Sequence, residues 1–140
     1  MSISSLLRDR AILTNNPAVI ATYKLESCHI KGDVMDVFLA VRNAVHMGAR
    51  IISHPLSGSI KPNESPYKSV VITVATSKLD IKSLNIIEDA ISTLTHLIEK
   101  NHNYDESVLD DFRIIDLDLI KSTFDSPFEP SLLTMTKSFL

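Results

Sequence analysis

One polar segment, His54 to Ser69 (HPLSGSIKPNESPYKS), holds most of the side chains in this chain that could do chemistry. Ser57-Gly58-Ser59 followed by Lys61 has the ingredients of an anion cradle. Glycine allows close backbone approach, serine hydroxyls donate, and lysine supplies charge. The plain alternative is a turn held by its own serine hydroxyls. His54 could act as a general base or bind a ligand, and Pro55 after it keeps its backbone extended. The plain alternative is an imidazole hydrogen-bonded within its own loop. Glu64, Tyr67 and Lys68 place an acid, a phenol and an amine close together, a grouping able to move protons. They could equally anchor the loop through hydrogen bonds and a weak surface ion pair.

Other chemistries lack their signatures. No Gly-x-x-x-x-Gly-Lys-Ser/Thr or Gly-x-Gly-x-x-Gly stands in the chain, and no Gly-x-Ser-x-Gly elbow. No His, Cys, Asp and Glu grouping has zinc-ligand spacing, so no metal is expected. His46 is placed to meet the dipole at a helix C-terminus, and His29, His96 and His102 are scattered. Asp116 and Asp118 alternate with leucines and read as a solvated face. Cys28 is the single cysteine. It excludes an intrachain disulfide and a Cys-x-x-Cys couple, and reads as a small buried hydrophobe.

The elements around this segment decide where it sits. Ala11 to Thr14 reads as a buried first strand, ended by Asn15-Asn16-Pro17. Pro17 suits the first turn of a short helix over 18–25, and Glu26 to Ile30 reads as a weak second strand. Asp33 to Met47 is the clearest helix: Val34, Val37, Phe38, Val41, Ala44 and Val45 make one apolar stripe. Asp33 is its N-cap and Gly48 its stop. Ala49 to Ser53 reads as a third strand and Ser69 to Ala75 as a fourth, central one. A long helix follows over 83–100, then a helical turn over 108–112. Ile114 to Ile120 fits strand or helix.

This alternation predicts an α/β fold: a small three-layer sandwich with a mostly parallel sheet of four to five strands, a single domain over 1–124, and a C-terminal tail over 125–140. One connection is unusual, since strands three and four are joined by the polar segment and not by a helix. Ligands in such sheets bind beyond the carboxyl ends of the strands. That places Asn15 and Asn16 across a crevice from His54, Ser57, Gly58, Ser59, Lys61, Asn63, Tyr67 and Lys68, which together form the expected ligand site.

Composition bounds the rest. The 140 residues are 44% hydrophobic and 22% charged with net charge −3, ordinary for a globular domain. The bases are interspersed with acids, so nucleic-acid binding is not expected. No apolar run approaches a membrane span and the N-terminus has no signal-like apolar stretch, so a cytoplasmic protein is expected. The tail's Leu132, Leu133, Met135, Phe139 and Leu140 could dock on this chain or join copies into a homo-oligomer.

Four stretches carry a family resemblance: Thr14-Asn15-Asn16-Pro17, Val41 to Gly48 (VRNAVHMG), Ser53 to Ser69, and Phe112 to Ile120 (FRIIDLDLI). The chain resembles the GrdX-like family over about Ala11 to Ser122. These are small proteins associated with the glycine, sarcosine and betaine reductase systems of amino-acid-fermenting anaerobes. The resemblance implies an accessory protein, and the residues add the expectation of an accessory or regulatory protein that binds a small anionic metabolite or a reductase component at the polar segment. It carries over no reaction and no cofactor. The chain lacks the paired redox cysteines or selenocysteine that reductase chemistry needs, so it is not expected to be the reductase itself. The rival expectation is a small enzyme using His54 with Lys61 or Lys68 for acid/base or phosphoryl chemistry.

Overall fold

The computed structural model describes residues 9–58, 60–74, 78–97 and 103–125. In chain order the elements are β1 (Arg10–Thr14), α1 (Pro17–Thr22), β2 (Ser27–His29), α2 (Val34–His46), β3 (Ser69–Thr73), α3 (Ile81–His96) and α4 (Glu106–Phe124).

Each helix begins on a side-chain cap. Asn16, Asp33, Asp80 and Asp105 accept a backbone N–H from the first turn of α1, α2, α3 and α4 respectively, satisfying donors that have no partner inside the helix. At α2, Asp36 returns the bond to Asp33 N–H and completes a capping box. That helix stops at Gly48, whose φ of +102° lets Ala49 N–H reach the Ala44 carbonyl and Gly48 N–H the Val45 carbonyl.

The sheet has three strands among the described residues, in the order β2-β1-β3. β1 pairs with β2 in parallel, Ile12 opposite Ser27 and Thr14 opposite His29. It pairs with β3 antiparallel, Arg10 opposite Thr73 and Thr14 opposite Ser69. Alternate residues serve opposite faces. Leu13, Val70 and Ile72 join Val37, Phe38, Val41 and Val45 of α2 and Ile87 and Ala90 of α3 in one core. Ile12 and Val71 join Val19, Tyr23 and Ile120 on the other face, where α1 and α4 lie.

This corrects the expected sheet of four to five mostly parallel strands, with a fourth strand at its centre. β1 is the central strand, and half of its pairing is antiparallel. Ala49 to Ser53 is not a strand: it makes one isolated bridge, Ile51 to Ile72. The reason lies in its hydroxyl neighbours. Ile52 and Ser53 N–H both point at the single Val71 carbonyl, at 2.8 and 3.2 Å. Ser53 Oγ takes the Val71 N–H at 2.7 Å, Thr73 Oγ1 takes Arg50 N–H, and Ser83 Oγ takes Ile51 N–H. Side chains thus occupy places that a strand would fill with carbonyls. The direction follows from the connection: without a crossover helix, the chain returns from the polar segment antiparallel to the way it entered.

Three smaller readings are also revised. Residues 108–120, read as a turn followed by an ambiguous stretch, are one continuous helix, α4. Cys28 lies in β2 but is exposed. Asp125, assigned to the tail, caps α4 and accepts the Tyr23 hydroxyl at 2.6 Å, so it belongs to the folded body. The tail beyond it, with the docking role suggested for its apolar residues, lies outside the described residues, as does His102. Among the described residues no helix is long and apolar enough to cross a membrane.

Candidate functional site

A buried polar network joins the end of β1, the start of β3 and the middle of α4. Asn16 N–H donates to Thr14 Oγ1 at 2.9 Å. Thr14 Oγ1 lies 2.6 Å from Ser69 Oγ, and Ser69 Oγ donates to Asp116 Oδ2 at 2.7 Å. Ser69 has one proton and spends it on the carboxylate, so Thr14 is the donor to Ser69. Asn16 Nδ2 closes the circuit on the same Oδ2 at 2.9 Å, and also reaches the Arg113 carbonyl. Asp116 therefore receives two hydrogen bonds, both on Oδ2.

The polar segment is sewn to this network and to α4. Asn15 spends its amide completely: Nδ2 donates to the Gly32 and Pro66 carbonyls, and Oδ1 accepts Lys68 N–H at 2.9 Å. Tyr104 Oη donates to the Glu64 carbonyl at 2.8 Å. Arg113 Nε donates to Tyr67 Oη at 3.0 Å while its guanidinium lies 5.3 Å from the Tyr67 ring centre. Glu106 orients that guanidinium through a 2.6 Å ion pair. Gly58, at φ +100°, passes so close to α4 that a Cβ there would sit 3.2 Å from Leu119 Cδ2.

Between segment and helix lies a half-open cavity of about 40 Å³. Ser57, Gly58, Ile60, Lys61, Pro62, Ser65, Tyr67 and Lys68 form one wall. Phe112, Ile115, Asp116 and Leu119, one stripe of α4 at helical spacing, form the other. The space suits a compound of a few heavy atoms. It is far below the roughly 300 Å³ at which pockets for larger ligands begin. Lys61 stands exposed at the rim. Lys68 is 8% exposed, and its ammonium gives one of its three N–H donors to the Ser57 carbonyl at 3.1 Å. Burial holds its pKa below the ordinary lysine value, while the charge of Asp116 acts in the opposite direction.

Of the residues expected to form the site, Ser57, Gly58, Lys61, Tyr67 and Lys68 line the cavity. Asn15 and Asn16 meet the polar segment and α4 through direct hydrogen bonds rather than across a crevice, and act as clamps. Asn63 is buried and outside the lining, and Ser59 falls outside the described residues. His54 is exposed and does not line the cavity. Its Nδ1 accepts Leu56 N–H at 3.1 Å, and its carbonyl accepts both Ser57 N–H and Ser57 Oγ, so the imidazole braces a turn. Among the described residues no group of three or more His, Cys, Asp or Glu could hold a metal ion.

The residue that sequence reasoning misplaced is Asp116, expected on a solvated face and found 7% exposed. A signal was present. Phe112, Ile115 and Leu119 define a helical stripe that also contains position 116, and a lone carboxylate within an apolar stripe is the informative exception.

A family model for the GrdX-like protein matches residues 11–125. The chain belongs to the GrdX-like family. Membership suggests an accessory protein associated with glycine reductase. The match runs from Ala11 within β1 to the end of α4, so every described wall of the cavity lies inside the family's span. No curated protein and no solved structure shows a significant match.

Proposed function

We propose that this accessory protein is a non-catalytic sensor or carrier that binds a small anionic ligand in the cavity between residues 57–68 and α4. The observation that carries this reading is Lys68: a buried ammonium facing a cavity, with one donor committed to the protein and the others not. Burying a lysine charge is costly unless something compensates it, and an anionic ligand would. Lys61 at the rim adds a second positive charge that draws anions in. Gly58, without a side chain, lets a ligand approach the backbone closely.

Calorimetric titration of the full chain with acetate, inorganic phosphate and acetyl phosphate tests this. Binding by at least one, weakened about tenfold or more in Lys68→Met, is the expected result, since a charged hydrogen bond contributes about 1.5–3 kcal/mol. Absence of binding by all three, with the chain folded, overturns it.

A further inference from the structure

Lys68 is not the only buried charge on the cavity wall. Asp116 faces it from α4, and the two do not touch: no ion pair within 4.0 Å joins these two described residues. Each keeps capacity that the protein does not use. Asp116 takes its protein hydrogen bonds on Oδ2 alone, leaving Oδ1 open, and Lys68 commits one N–H. The carboxylate is also fixed in direction, because Ser69 and Asn16 hold Oδ2 from behind.

We infer that the cavity selects a small zwitterion, with its anionic end on Lys68 and its ammonium on Asp116 Oδ1. A plain anion entering here gains Lys68 but is brought beside a buried carboxylate of like charge. A plain cation gains Asp116 but meets Lys68 and Lys61. A molecule carrying both charges satisfies both walls, and because Oδ2 is already held, little ordering cost remains for the Asp116 side. Phe112 and Leu119 give the space between the two charges an apolar flank, suited to a short methylene linker. The cavity's size keeps that linker to a few carbons.

This inference rests on the proposed binding of an anion in the same cavity, and the experiment separates the two. The full chain is titrated at neutral pH with acetate, methylammonium, glycine, β-alanine and 4-aminobutyrate, which set the charges progressively further apart. At least one zwitterion is expected to bind about tenfold tighter than acetate, the difference one added charged hydrogen bond makes. Asp116→Asn provides the second arm. Its amide oxygen can still accept from Ser69 and Asn16, while an N–H₂ donor replaces Oδ1. The advantage of the zwitterion over acetate should then vanish, with acetate binding at least as well as before. If acetate binds as tightly as every zwitterion, or the advantage survives in Asp116→Asn, the selectivity is refuted while anion binding stands. If nothing binds, both fall. Should Asp116→Asn fail to fold by circular dichroism, the comparison of ligands on the unmodified chain decides alone.

Discussion

Ser69 and Asp116 are 47 positions apart and joined by a 2.7 Å hydrogen bond that fastens the first residue of β3 to the middle of α4. Through it the polar segment, which ends at Ser69, is held against the helix that forms the opposite wall of the cavity. The bond belongs to a circuit in which Asn16 and Ser69 donate to one carboxylate oxygen and Thr14 donates to Ser69, so the circuit fails as a unit when that oxygen is removed.

Asp116→Ala should therefore destabilise the fold by about 2–4 kcal/mol, because it strands the buried Ser69 hydroxyl and the Asn16 amide. Asp116→Asn keeps an acceptor for both and should cost about 1 kcal/mol. Urea denaturation of the two variants checks this. Equal losses would mean that charge, not hydrogen bonding, is what the network needs.

Gly58 meets two separate constraints, a left-handed backbone and the nearness of Leu119. Gly58→Ala is expected to cost about 1–2 kcal/mol from the backbone alone, with a further steric part. Leu119→Ala relieves the contact and leaves the backbone cost. Chemical denaturation of the double variant should thus show less than additive loss, and strict additivity would mean that the two residues do not press on each other.

The depressed pKa of Lys68 fixes the sign of a pH effect. The folded state disfavours the charged amine relative to the unfolded chain, so the penalty is fully present below the folded pKa. It is relieved as pH climbs from that depressed value toward the ordinary 10.5. In that window the unfolded chain holds more protons at this site, and the native chain gains stability relative to Lys68→Met. Parallel urea midpoints of the two proteins from pH 8 to pH 10.5 read this difference, in which most other titrating groups cancel. A gap that stays constant across the window would show that Lys68 ionises alike in both states.

The parts of this architecture that repeat a period were readable from residue order. The α2 stripe from Val34 to Val45, its Asp33 cap and its Gly48 stop follow from helix geometry and occur where expected. The sheet was harder, because strand identity depends on what lies alongside. Ala49 to Ser53 has the composition of a buried strand, yet hydroxyls of its own Ser53 and of Thr73 and Ser83 break the ladder, and the last two are distant in sequence. The helix-free link between that segment and β3 already argued for an antiparallel return, and it outweighs the alternation that suggested a parallel sheet. At the site, Ser57, Gly58, Lys61, Tyr67 and Lys68 could be gathered because they are neighbours in sequence. Asp116 was legible only through the helical stripe of Phe112, Ile115 and Leu119, because two aspartates flanking Leu117 look solvated until that helix is placed. His54 illustrates the reverse: a side chain with broad chemical ability serving a turn.

The irregular pairing over residues 50–53 has a consequence for the life of the molecule in concentrated solution. A bare outer edge on β3 would present unsatisfied amides and carbonyls as a template for another chain. Here Ser53 Oγ occupies Val71 N–H, Ile52 and Ser53 crowd the Val71 carbonyl, and the Arg50 carbonyl occupies the N–H of Thr73. The opposite edge is β2, only three residues long. A small sheet guarded on one side by hydroxyls and on the other by brevity offers little backbone for another strand to extend.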